Sequence, residues 1–118
     1  MYCGAPPDDA YCLDLLTRDE VILLAAFEGE EIIGGIGAFL LRKFEQARSE
    51  ILLYDIAVGT GHRRRGVATA MVAHLRAIAR QNDVWVITLN TEPGNPAAHL
   101  YRALGASEED ATIFDLLP

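Results

Sequence analysis

The clearest indication of a fold in this chain is the segment EILLYDIAVGTGHRRRGVAT, residues 50–69. Its first half, up to Val58, is an apolar run with β-branched residues, which predicts a strand. The run is continuous, so we expect this strand to be covered on both faces except at Tyr54 and Asp55. GTGH, residues 59–62, then turns the chain. A helix follows the turn, and the segment therefore predicts a strand–turn–helix unit.

The helix of this unit extends from Gly66 to about Gln81, where Asn82 and Asp83 end it. Apolar residues recur along it at helical spacing. This spacing predicts a buried stripe formed by Val67, Met71, Leu75 and Ile78.

Further elements flank this unit on both sides. Before it, Asp8 or Asp9 caps a short helix that ends near Leu16, and two apolar runs around a glycine-containing turn predict a β-hairpin, residues 21–27 and 32–41. After it, the sequence predicts a strand over 84–90, a helix over 97–104 with Asn95 as its N-cap, and a last strand over 111–117. The fold class is therefore α/β (α+β), a sheet packed against helices.

Length and charge restrict the function. The chain has 118 residues, of which 51% are hydrophobic, so a single domain over residues 1–118 with its own core is expected. Seventeen acidic residues against ten basic ones give a net charge of −7, which disfavours nucleic acid as a partner and favours a cationic small molecule. No apolar run reaches the roughly 20 residues of a membrane helix, so no membrane partner is expected.

The amino terminus and the thiols carry no further signal. Residues 1–9 show neither a basic nor an apolar export segment, so a cytoplasmic location is predicted. Cys3 and Cys12 lie together with only three scattered His in the chain, which is no zinc spacing, and we predict no metal site. His62, His74 and His99 are interpreted as surface residues, and Trp85 as a core residue.

The turn before the long helix combines small residues with positive charge. Gly66 and Ala68 allow an anion to approach the backbone N–H groups of a helix amino terminus, and Arg63, Arg64 and Arg65 add cations. The spacing matches neither a P-loop nor a dinucleotide-binding fingerprint. Two interpretations remain open at this point, an anion-binding site and a helix that begins with glycine beside surface arginines.

The spacing Arg63-x-x-Gly66-x-Ala68 after Ile56-Ala57-Val58 resembles the acetyl-CoA signature of the GCN5-related N-acetyltransferases, Gln/Arg-x-x-Gly-x-Gly/Ala. NPAAHLYRALG, residues 95–105, looks like the second conserved helix of that family. Within the family, KFEQARSEI (43–51), YDIAV (54–58) and the closing Phe114-Asp115 resemble the aminoglycoside 3-N-acetyltransferases.

The resemblance extends from about Val21 to Leu117. It implies the acyl-CoA N-acyltransferase fold, a mixed and mostly antiparallel sheet flanked by helices, and transfer of acetyl from acetyl-CoA to a primary amine of an aminoglycoside. Only about twenty residues precede Val21, where the family has a strand and two helices, so a shortened amino-terminal part is expected. Because the strand over 21–27 would then be an open edge, we expect a homodimer in which a partner covers it.

The resemblance also implies roles for particular residues. Tyr101 would protonate the coenzyme A thiolate, and Asp55 would act as general base or anchor the substrate ammonium, with Glu50 as the second candidate for the base. Residues expected to bind acetyl-CoA are Ile56, Ala57, Val58, Arg63, Arg64, Arg65, Gly66, Val67, Ala68, Thr69, Asn95, Ala98 and Tyr101. Residues expected to bind the amine are Tyr54, Asp55, Glu92 and Asp115.

Simpler roles compete with several of these assignments. Tyr101 lies on the apolar stripe of its helix and could be a core residue, while Glu50, Glu92 and Asp115 need no role as solvated carboxylates. Two other functions also compete: an acetyltransferase for a protein amino terminus, a lysine or a small polyamine, and a non-catalytic acyl-CoA-binding module.

Overall fold

The computed structural model describes residues 5–118, which form a four-stranded sheet with three α-helices. The helices are α1 (Asp9–Leu16), α2 (Val67–Gln81) and α3 (Ala97–Ala103). The strands are β1 (Val21–Glu28), β2 (Glu31–Arg42), β3 (Ser49–Val58) and β4 (Val84–Thr88), and they lie side by side in that order. The predicted order of elements is confirmed as far as α3.

The sheet is mixed and mostly antiparallel, as predicted. β1 and β2 form the expected hairpin, β2 pairs antiparallel with β3, and β4 runs parallel to β3. The hairpin turns at Gly29, whose φ of +61° is left-handed and suits glycine. Between β3 and α2 the chain makes one turn of 3₁₀ helix, Thr60–His62.

The short helix α1 begins where the sequence predicts. The Asp8 side chain accepts a hydrogen bond of 2.9 Å from the Tyr11 N–H and so satisfies one free donor of the first turn. Cys12 on this helix is an exposed free thiol. Cys3, interpreted with it, lies outside the described residues. No helix within residues 5–118 is both long and apolar enough to cross a membrane.

The core lies between α2 and one face of the sheet. Its buried members are Ile36, Ala38, Ile51, Leu53, Met71, Val72, Leu75 and Ala79. The stripe predicted for α2 is correct at Met71 and Leu75 but wrong at its ends, where Val67 and Ile78 are only half-buried. Val72 and Ala79 are buried instead, because a helix packed on a sheet buries a face wider than a single stripe.

The expectation that β3 is covered on both faces is wrong. Ile51 and Leu53 are buried beneath α2, but Leu52 on the other face is half-buried and Ala57 is exposed. An apolar run indicates a strand in the interior of a sheet. Whether one or both faces of that strand are covered depends on which helices pack on the sheet.

The predicted last strand is absent from the structure. Residues 106–118 have no helix or strand and are exposed throughout, with Phe114 at 87% and Leu116 at 97% exposure. Their pattern favours an extended chain, but a strand also requires a neighbouring edge with which to form hydrogen bonds.

Trp85 is not a core residue, contrary to the prediction. Its side chain is 49% exposed on the edge strand β4. The Arg48 guanidinium lies 3.8 Å from the ring centroid and the Lys43 ammonium 5.9 Å from it, so the ring contacts two cations. The Trp85 ring is therefore partly covered by the side chains of Lys43 and Arg48, which belong to the loop between β2 and β3.

Candidate functional site

The turn before α2 leaves backbone donors free. Gly66 caps the helix in the left-handed conformation, with φ of +81°, and no side chain caps the first turn. The first hydrogen bond of the helix runs from the Ala70 N–H to the Gly66 carbonyl, so the N–H groups of residues 67–69 have no helical acceptor. The first turn also contains no acidic residue. Free donors at the positive end of a helix dipole suit a phosphate.

The three arginines of this turn have different partners. The Arg63 Nε donates to the Val58 carbonyl at 3.2 Å, and the Arg65 Nη2 lies 2.9 Å from the Glu28 carboxylate. Arg64 lies between them with φ of +62°, a left-handed conformation that costs a residue with a side chain about 1–2 kcal/mol. From the sequence the three arginines are equivalent cations. In the structure, Arg63 and Arg65 each contact a protein group.

A cavity opens where β3 and β4 separate. The two parallel strands pair from Ser49 and Val84 up to Leu52 and Thr88, and the pairing does not extend further. Beyond this point lies a cavity of about 170 Å³. Its lining residues are Leu53, Tyr54, Asp55, Ile56, Leu89, Asn90, Thr91, Asn95, Ala97 and Tyr101.

The end of β3 has one open edge beside this cavity. Ile56, Ala57 and Val58 pair with β2 on one side, and no strand of the described chain pairs with them on the other. An extended ligand with amide groups can add to such an edge as another strand does.

β3 contains a bulge at Tyr54, beside the cavity. Asp55 pairs with Gly37 and Leu53 with Ala38, so Tyr54 is an extra residue with no partner opposite. Its ring is 73% exposed and stands edge-on to Phe39, with centroids 5.7 Å apart. Tyr54 and Asp55 both belong to the lining of the cavity, and the bulge lies at this point of β3.

Asp55 and Tyr101 meet in this cavity from distant parts of the sequence. Burial raises the pKa of the Tyr101 phenol above its usual value, and the negative charge of Asp55 raises it further. Tyr101 therefore keeps its proton at neutral pH. Tyr101 also packs against the core cluster, so one residue joins the core to the lining of the cavity.

Asn95 and Ala98 are placed at the start of α3. The N-cap of α3 is Pro96, one residue after the predicted Asn95, but the Asn95 side chain accepts a hydrogen bond of 2.9 Å from the Ala97 N–H and lines the cavity. Ala98 is half-buried and its N–H donates to the Asn95 carbonyl. Asn90 and Thr91 also line the cavity, although sequence reasoning did not select them. These two residues could have been selected because polar residues that follow a parallel strand lie at its carboxyl end, where ligands commonly bind.

The other predicted carboxylates lie elsewhere. Glu50 is at the opposite end of β3, with its carboxylate 3.9 Å from the Lys43 ammonium. Glu92 and Asp115 are exposed and do not line the cavity, and Asp115 belongs to the segment without regular structure. These assignments remain predictions without support from the geometry.

The histidines do not gather at the cavity. His62 is half-buried beside Glu28 and Arg65, and His74 and His99 are exposed on helices. Among the residues that the structure describes, no group of three or more His, Cys, Asp or Glu is placed to hold a metal ion.

Comparison with known proteins adds to this geometry. Residues 2–106 match the acetyltransferase (GNAT) family. N-acetyltransferase 8B of Rattus norvegicus is 30% identical over 81 residues, which are 68% of this chain and 36% of that protein. The chain thus spans little more than a third of that relative.

Solved structures share the fold. An aminoglycoside acetyltransferase from an uncultured soil metagenomic sample is 42% identical with a TM-score of 0.89, over 98% of this chain and 78% of that one. The aminoglycoside N-acetyltransferase AAC(6')-Iy in complex with CoA has a TM-score of 0.81 over 92% of this chain and 84% of that one. At 22% identity, the second likeness shows the fold alone.

Proposed function

The chain belongs to the acetyltransferase (GNAT) family, and from this premise we propose that it transfers acetyl from acetyl-CoA to a primary amine of an aminoglycoside. The observation that carries the proposal is the cavity between β3 and β4, where Asp55 and Tyr101 meet beside an open strand edge. A 42% identical structure of an aminoglycoside acetyltransferase supports the class of acceptor. We take the 3-N position of the drug from the resemblance of residues 43–51, 54–58 and 114–115. Acetylation neutralises one ammonium of the drug, and we therefore propose a role in antibiotic resistance.

The binding of acetyl-CoA divides between two surfaces. Its pyrophosphate fits the free N–H groups at the start of α2, with Arg64 as the nearby cation that has no protein partner among residues 5–118. Its pantetheine amides fit the open edge of residues 56–58, and the Val58 N–H is our candidate donor to the thioester carbonyl. The thioester supplies the activated acetyl group.

The acceptor amine must lose a proton before it can attack. Asp55 is the carboxylate that lines the cavity, so we assign to it the ammonium anchor and the general base. The exposed ring of Tyr54 stands next to it and suits a cationic ring substrate. A net charge of −7 attracts a polycationic acceptor from a distance.

Tyr101 is our candidate donor to the departing thiolate. Because burial and Asp55 raise its pKa, while a thiol has a pKa of about 8.5, complete proton transfer is unfavourable. The phenol therefore acts by donating a hydrogen bond to the sulfur as negative charge develops there.

One assay separates the candidate functions. Acetyl-CoA consumption is measured with gentamicin, with spermidine, with free lysine and with a peptide that has a free amino terminus. Turnover with gentamicin alone supports the proposal. Turnover with one of the other amines would mean that the acceptor belongs to that class of amine instead. Acetyl-CoA binding without turnover on any amine would indicate a non-catalytic binding module.

We predict that Gly66→Glu lowers acetyl-CoA affinity at least tenfold. The new side chain puts a negative charge beside the helix amino terminus, and a left-handed φ of +81° disfavours any residue with a Cβ. Calorimetry with acetyl-CoA measures the effect, and circular dichroism establishes that the variant is folded. Unchanged affinity in a folded variant would place the pyrophosphate elsewhere.

We further propose that residues 1–118 act as one cytoplasmic domain and that two copies form a homodimer. β1 pairs only with β2 among the described strands, and an apolar cavity of about 310 Å³ lies along β1 and α2. An apolar strand edge of this kind favours a partner. Light scattering at micromolar concentration should give twice the mass of one chain, and the mass of a single chain would refute the dimer.

A further inference from the structure

Three charged or polar side chains meet beside the anion-binding turn from two separate parts of the chain. Glu28 is the last residue of β1, and its carboxylate lies 2.9 Å from the Arg65 Nη2 and 3.7 Å from the His62 Nδ1. The Arg65 Nη1 in turn lies 3.0 Å from the His62 Nδ1. Two nitrogens of the Arg65 guanidinium thus have protein partners, which makes Arg65 a link to the hairpin.

This link has a counterpart on the other side of Arg64. Arg63 donates to the Val58 carbonyl at the end of β3, so the residues on both sides of Arg64 are anchored to the sheet. Arg64 itself has φ of +62°, which residues with a Cβ rarely adopt. Such a conformation persists only where the surroundings hold it.

We infer that Glu28 is a positioning residue for acetyl-CoA: by holding Arg65 it keeps Arg64 left-handed and keeps the turn shaped for the pyrophosphate. This inference rests on the proposed function of the turn. Glu28 does not touch the ligand in this arrangement and acts through Arg65. The direction of the change in acetyl-CoA affinity tests this role. If the charge of Glu28 alone matters, removing its carboxylate from beside an anion site strengthens binding. If Glu28 positions the turn, its removal weakens binding.

The first test is Glu28→Gln, with Glu30→Gln as its matched control. Glu30 is exposed in the same hairpin turn, and its substitution removes the same charge from nearly the same place. Because the Arg65 and Glu28 side chains are both about half exposed, we expect Glu28→Gln to weaken acetyl-CoA binding about threefold to fivefold, with kcat at saturating acetyl-CoA and the acceptor KM unchanged. Glu30→Gln should leave acetyl-CoA affinity unchanged or slightly tighter.

The second test is a double-mutant cycle with Arg64→Gly. Glycine adopts a left-handed φ without strain, so the turn no longer depends on the anchor. Glu28→Gln should therefore change acetyl-CoA affinity less than about twofold in the Arg64→Gly background. The same loss in both backgrounds would mean that Glu28 acts independently of the Arg64 backbone and would overturn the inference.

The outcomes separate this inference from the proposed function. If the parent protein binds acetyl-CoA and Glu28→Gln binds it equally or more tightly, the positioning role is wrong and the proposed function stands. If the parent protein does not bind acetyl-CoA, both are wrong. A thermal unfolding midpoint of Glu28→Gln within a few degrees of the parent, together with weaker binding, supports positioning over a general loss of stability.

Discussion

Tyr101→Phe is expected to lower kcat about 100-fold to 1,000-fold, the loss typical of one hydrogen-bond donor to a developing charge, while leaving acetyl-CoA affinity nearly unchanged. The substitution deletes a single hydroxyl from a residue that lines the cavity and packs against the core cluster, and it retains the ring. The fold should therefore survive, and the loss should fall on the step in which the sulfur becomes negative. Steady-state kinetics with saturating acetyl-CoA and gentamicin measure it.

The control for this variant is Tyr54→Phe, which deletes a hydroxyl from a neighbouring ring of the same cavity. Because the ring of Tyr54 is its proposed binding surface, we expect this second variant to retain kcat within a few-fold. If the kcat of Tyr101→Phe is within a factor of two of the parent value, Tyr101 has a purely structural role.

Asp55→Asn is the second large effect that we expect. An amide neither accepts the proton of an ammonium nor pairs with its charge, so kcat should fall about 100-fold or more and the acceptor KM should rise. Acetyl-CoA affinity, measured by calorimetry, should stay close to that of the parent because the turn before α2 is untouched.

Glu50→Gln decides between the two carboxylates. Glu50 lies at the opposite end of β3 and pairs with Lys43, so its loss should leave kcat nearly unchanged. If only the Glu50 variant loses activity, the assignment of the base must be reversed.

Asp55→Asn also has a spectroscopic consequence. The Asp55 charge raises the pKa of Tyr101 because it opposes the tyrosinate, so its removal should lower that pKa. Burial is the larger cause of the shift and remains, so the pKa should stay above the ordinary value of about 10. Ultraviolet titration, read as the difference from Tyr101→Phe variants, follows this one phenol.

The fold was predictable wherever the signal is local. The Asp8 cap, the glycine turn of the hairpin and the glycine before α2 each depend on residues within a few positions of one another, and all three occur as predicted. The Arg63-x-x-Gly66 spacing is local in the same sense. The position of the candidate anion site is therefore predictable from the sequence.

The errors arise where a residue depends on a partner that its own segment does not specify. The pattern of residues 111–117 favours a strand, but no edge pairs with it in the described structure. Trp85 is a large aromatic residue in an apolar strand, which predicts a core position. Its strand lies at an edge of the sheet, however, and its ring contacts Arg48. Propensity describes a segment, whereas burial depends on what packs against it.

The sequence by itself determined the helices, the antiparallel hairpin, the third strand and the small residues of the turn, because hydrophobic period and turn chemistry operate over a few residues. Only the tertiary structure decided which side chains meet. The parallel pairing of β3 with β4 opens the cavity that joins Asp55 to Tyr101, and the packing of the hairpin brings Glu28 to Arg65. These contacts join residues far apart in the chain, and no local pattern specifies their geometry.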